Sequence, residues 1–131
     1  MKVSDVQTRT DVYAPGCPSR GVLEHVTSRW AVLVLAALLD GTMRFSELRR
    51  HIGGVSEKML TQTLRTLERD GFVSRRAHPV IPPHVDYDLT PLGAQAARQV
   101  RALADWTETH VPDVQAARRD YDASRPGSAG S

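Results

Sequence analysis

Hydrophobic positions in this chain follow a helical period, then a strand period, then a helical one again. Val22, Leu23 and Val26 cluster on one side of a short helix predicted over 19–26. The stretch 30–39 is apolar nearly all round, which predicts a helix running through the core and ended by Asp40-Gly41. Phe45, Leu48 and Ile52 return at helical spacing, with Ser46 as the expected N-cap. Gly53 and Gly54 interrupt the pattern before Ser56 opens SEKMLTQTLRTLERDG, which Gly71 closes. Two helices meeting across a glycine turn are the parts of a helix-turn-helix.

The helix predicted over 56–70 divides cleanly when sorted by the 3.6-residue period. Leu60, Leu64 and Leu67 form one stripe, to be buried. Lys58, Thr61, Gln62, Arg65 and Arg69 fall on the opposite stripe, and each carries a hydrogen-bond donor.

After Gly71 the period changes to two. Residues 72–77 and 84–89 alternate as strands, with Val85, Tyr87 and Leu89 on one face and His84, Asp86 and Asp88 on the other. They are expected to pair as a hairpin. Its connection, HPVIPP, holds too many prolines for a two-residue turn and predicts a stiff, protruding loop. Thr90-Pro91 then supplies an N-cap and a proline at the first helical position, starting a helix expected to end near His110. Leu92, Ala96, Val100, Leu103 and Thr107 are its predicted inner stripe, and its other side is left for a twin subunit. The fold class expected is mainly α with a small β-hairpin: a winged helix-turn-helix with flanking dimerisation helices.

Three regions follow: a polar arm over 1–16, the winged domain with its dimerisation helix over 17–110, and a partly disordered extension over 111–131. Val114, Ala117 and Tyr121 are spaced for a further helix within the last. The 131 residues suffice for one core, and a 5% aromatic content makes that core aliphatic. Net charge is only +2, but residues 44–76 hold eight basic side chains against four acidic ones, a local excess suited to a polyanion. One cysteine, Cys17, excludes an intrachain disulfide framework and a cysteine-built metal cluster. No secretory-type run opens the chain, and the longest apolar stretch is about half of the roughly 20 residues a bilayer requires, so a cytoplasmic protein without a membrane partner is expected. The five histidines show no metal-ligand spacing, no Ser/His/Asp arrangement stands by a glycine-rich loop, and neither metal, cofactor nor catalytic residue is expected.

Several motifs together resemble the HxlR-type transcriptional regulators, relatives of the MarR-type winged-helix proteins. They are Cys17-Pro18, Arg29-Trp30 before an aliphatic helix, RFSELRR, the SEKMLTQTLRTLERDG segment, Arg75-Arg76, Pro82-Pro83, YDLTPLG and the late LADW, covering roughly 17–106. The resemblance implies a homodimer that binds an operator and represses, or less often activates, nearby genes. It also implies that Cys17 senses oxidants, quinones or aldehydes, while the lack of a second cysteine excludes a sensor built on an intrasubunit disulfide. Ser28-Arg29 departs from the Gly-Lys pair common before the tryptophan.

The candidate DNA-binding residues follow. Lys58, Thr61, Gln62 and Arg65 are expected in the major groove, where Gln pairs adenine and Arg pairs guanine bidentately. Arg75, Arg76 and His84 on the wing are expected at phosphates or in the minor groove, while Arg44, Arg49 and Ser56 hold the backbone at the other end, fixing register on a pseudo-palindromic duplex. For Cys17, a small buried hydrophobe and a reactive thiolate are both open, the latter favoured by the field of a helix start and by Arg20. A small-molecule or electrophile effector is the implied signal. Trp30 and Trp106 are expected as core or interface anchors. The rival reading is a winged-helix interaction module that docks an acidic partner without reading DNA; the shortage of exposed aromatic anchors on the donor stripe argues against it.

Overall fold

The computed structural model describes residues 11–125. Among them are five helices and three short strands: α1 (Pro18–Val26), α2 (Arg29–Leu38), β1 (Met43–Arg44), α3 (Phe45–His51), α4 (Glu57–Arg69), β2 (Val73–His78), β3 (His84–Leu89) and α5 (Pro91–Ser124). The strands form an antiparallel sheet in the order β1-β3-β2. β1 is an addition to the expected hairpin: Met43 pairs with Tyr87 and Arg44 with Asp86. The chain divides into two compact units, Met1–Arg101 and Ala102–Ser131.

The first unit holds the aliphatic core. Ala31, Val34, Leu35, Ala37 and Leu38 of α2 are buried, with Leu48 and Ile52, the three leucines of α4, Phe72, Val73 and Tyr87. Trp30 packs half-buried against this cluster. Two polar links fasten its periphery: His25 Nδ1 lies 2.5 Å from Asp70 Oδ2, and Arg101 donates to the Ala36 carbonyl at 3.2 Å and to Asp40 at 3.3 Å. The second brings a cation to the negative end of α2, where a helix dipole favours it.

Local chemistry sets the ends of α4. The Ser56 hydroxyl accepts from Met59 N at 3.1 Å, capping the start. At the other end Phe72 N donates to the Leu67 carbonyl and Gly71 N to that of Glu68, the paired bonds of a Schellman stop, with Gly71 at φ +83°. The start of α3 differs from expectation. Its N-cap is Arg44, not Ser46, because pairing of β1 with β3 holds the backbone extended through Arg44, whose N–H donates to Glu47 Oε1 at 2.7 Å.

The inner stripe of α5 is also shifted. Gly93, Ala97 and Val100 are buried while Leu92 and Leu103 are exposed. The cause is a close docking of the helix start on the end of α4. Thr90 donates through N to Phe72 O at 3.1 Å and through its hydroxyl to Gly71 O at 2.6 Å, while the same hydroxyl accepts from Gly93 N. A Cβ on Gly93 would stand 1.8 Å from the Phe72 carbonyl oxygen, so only glycine permits this approach, and the approach fixes the rotation of the helix.

The second unit consists, among the described residues, of the α5 segment from Ala102 onward. The helix does not stop near His110: it continues through Pro112, which removes one N–H from the ladder, to Ser124. Leu103, Trp106, Val111 and Tyr121 are exposed on it, and Trp106 stacks on His110 with ring centroids 4.6 Å apart. Among the described residues no single helix is long and apolar enough to cross a membrane. The expected disorder of the arm and tail falls largely on 1–10 and 126–131, outside the described residues; 11–16 is turn and coil.

Candidate nucleic-acid interface

The face of α4 opposite its leucines is open. Lys58, Thr61, Gln62, Arg65 and Arg69 are all exposed, and Leu60, Leu64 and Leu67 are buried beneath them. Burial of one stripe fixes which way the other points, so the donors project from a rigid rod rather than a loop. Phe45, Glu57, Lys58, Thr61, Gln62 and Arg65 line a shallow groove of about 670 Å³. A neighbouring concavity joins Phe45 to Ser46, Arg49, Arg50 and Glu57; another joins it to Thr61, Arg65, Glu68, Arg75 and Tyr87. Phe45 is common to all three, and basic side chains from α3, α4 and β2 therefore border one continuous surface. Phe45, expected in the buried stripe of its helix, borders the basic face, as does Arg50, expected to face solvent or phosphate.

The wing residues separate. Directly opposed residues in an antiparallel sheet share a face, and Arg75 stands opposite Tyr87 whereas Arg76 stands opposite Asp86. Arg75 thus lies on the face turned to α4. Arg76, His84 and Arg44 lie on the other face, and Arg76 is paired with Asp88 at 2.5 Å. Thr42 donates to the same carboxylate. His84 is half-buried and stacked on His78 at 4.6 Å. Both histidines also converge on Asp86, a grouping their sequence spacing did not suggest. Ser56 serves as the α4 cap, its hydroxyl taken up by Met59 N, and it stands exposed at the helix start.

Cys17 is the N-cap of α1, with Pro18 in the first turn, and is half-buried. Its Sγ lies 3.0 Å from Ser19 Oγ. The Arg20 guanidinium, expected near the thiol, reaches the Tyr13 carbonyl at 3.3 Å and Glu24 at 3.9 Å.

A tight two-helix corner, a paired strand ribbon beside it and an exposed donor face on the second helix define a winged helix-turn-helix of the transcriptional-regulator class. The chain belongs to the HxlR-like helix-turn-helix family, whose model matches residues 25–115. It is 63% identical over 108 residues to YtfH of Escherichia coli K12, named an HTH-type transcriptional regulator, spanning 82% of this chain and 86% of that one. The solved structure of the transcriptional regulator ytfH from Salmonella typhimurium superposes with a TM-score of 0.82 at 60% identity, over 85% of this chain and 99% of that one. The redox regulator HypR, solved in its oxidized form, matches with a TM-score of 0.65 at 34% identity, over 71% and 96%.

Proposed function

We propose that this chain is a homodimeric, cytoplasmic regulator of transcription that places α4 of each protomer in the major groove of a pseudo-palindromic operator. Lys58, Thr61, Gln62 and Arg65 meet base edges, while Arg49, Ser56 and Arg75 hold the sugar-phosphate backbone on either side. Arg44, Arg76 and His84 are assigned to phosphates as well, with smaller contributions, because they share the opposite face of the sheet and Arg76 already has a carboxylate partner. No catalytic step belongs to this reading. Its strongest support is the donor face of α4, open over a fully buried leucine stripe and bordered by Arg75.

The test is binding of the purified protein to its own upstream DNA with excess nonspecific competitor. Arg65→Ala is expected to weaken specific binding by about 1–3 kcal/mol, roughly 5- to 150-fold, and to relax preference at one base position. Equal loss on specific and random duplexes would remove Arg65 from base readout. Absence of specific DNA binding by the wild type would favour the acidic-partner reading instead.

The signal assigned to Cys17 is an oxidant or electrophile. Its place at the start of α1 and the likeness to HypR, a redox regulator by name, support that assignment. With one thiol per chain, oxidation would end in a sulfenic acid or a mixed disulfide with another molecule. Diamide should lower operator affinity of the wild type and leave Cys17→Ser unchanged; equal responses would exclude the thiol.

A further inference from the structure

The outer face of the wing carries a cluster of two histidines and an aspartate, of which the DNA-binding reading uses only His84. His78 stands opposite His84 at the last rung of the β2–β3 ladder, and Asp86 lies two residues along the same face. The imidazole rings stack with centroids 4.6 Å apart at 24°. Asp86 Oδ2 is 2.8 Å from His78 Nε2, and Asp86 Oδ1 is 3.9 Å from His84 Nε2. All three side chains are half-buried, and each offers a ligand atom within 4.8 Å of the others.

A cross-strand ion pair would account for the short His78–Asp86 distance but not for its direction. His78 Nε2 is buried, yet it makes no hydrogen bond of acceptable geometry, so the carboxylate oxygen stands off the line along which the ring N–H would donate. Two atoms bound tetrahedrally to one Zn²⁺ at about 2.0–2.1 Å lie roughly 3.3–3.4 Å apart while pointing at the ion rather than at each other. The observed 2.8 Å is shorter, so the pair would open by roughly half an ångström around an ion. His84 adds a second indication. The Pro82 carbonyl lies 3.5 Å from its Nδ1 and can only accept, so a proton on Nδ1 would leave the Nε2 lone pair on the side of Asp86. A carbonyl on the far nitrogen is the usual support of a metal-binding imidazole.

We propose that His78, His84 and Asp86 form a site for a divalent transition cation of the Zn²⁺ class, bound by two imidazole nitrogens and one carboxylate oxygen. Imidazole donors select Zn²⁺, Ni²⁺ or Cu²⁺ over Mg²⁺ and Ca²⁺, and three protein ligands leave a position for water. Arg44 opposes Asp86 from β1 and Arg76 opposes it from β2, so the local field lowers affinity, although Arg76 is drawn off by Asp88. A bound cation would join the end of β2 to the start of β3 and clamp the five-residue loop 79–83 at its base.

The test is calorimetric titration of the tag-free, metal-free full chain with Zn²⁺, with side-chain nitrogen NMR of the histidines. One equivalent per chain is expected, with the Nε2 resonances of His78 and His84 shifting together. His78→Ala, His84→Gln and Asp86→Asn should each weaken binding at least about tenfold. His25→Ala and Cys17→Ser should leave it unchanged. Zn²⁺ binding by His78→Ala/His84→Gln at wild-type affinity, no binding by the wild type, or loss in the His25 or Cys17 variant would each overturn the assignment. DNA does not enter the readout, so the result is independent of the operator-binding reading.

Discussion

Helix α4 and the part of α5 beyond Arg101 both carry an apolar stripe at helical spacing, but the chain completes only one of them. In α4 the leucines at 60, 64 and 67 are 0%, 1% and 0% exposed. In the later segment Leu103, Trp106 and Tyr121 are 55%, 52% and 54% exposed. Helices in folded proteins draw most of their stability from burying such a stripe, so the later segment lacks that source within one chain. The first uses its apolar side to build the fold and frees its polar side for a ligand. In the second the apolar side is itself the available surface, and our homodimer proposal assigns a second copy to it.

The sharpest way to break this contrast is to truncate each stripe. Leu64→Ala should destabilise the protein by about 2–5 kcal/mol, since a fully buried leucine loses its transfer energy and leaves a cavity. Urea unfolding at fixed protein concentration measures this, and a cost below about 1 kcal/mol would show that the site collapses freely. Leu103→Ala/Trp106→Ala should instead weaken self-association by about 2 kcal/mol or more, roughly thirtyfold, if Trp106 is an interface anchor. Sedimentation equilibrium distinguishes the two variants. A full-strength dimer in the second would place the seam elsewhere.

The contrast also explains what could be read from residues alone. The two faces of α4 were legible because one period sorts every position, and its stop was legible because Gly71 adopts φ +83°. β1 was not: two residues have no periodicity, and Met43 and Arg44 are a strand only because β3 pairs with them. The rotation of α5 was not, since it depends on Gly93 touching the Phe72 carbonyl across the fold. The His78–His84–Asp86 cluster needed the hairpin register, which a proline-rich loop of uncertain length conceals. The separation of Arg75 from Arg76 was available and unused, because adjacent residues on a strand face opposite ways.

That separation yields the smallest effect and the finest test. Arg75 borders the same concavity as Thr61 and Arg65, while Arg76 spends its guanidinium on Asp88 across the outer face. If each neutralised phosphate contributes a log–log salt slope near −0.9, Arg75→Ala should flatten the slope of operator binding by about one. Arg76→Ala should change it by well under half as much, because the partner carboxylate already holds that charge. Salt titrations of both variants on the same duplex read the difference directly. Equal flattening would mean that the wing meets DNA edge-on with both faces engaged, and the ion pair with Asp88 opens on binding.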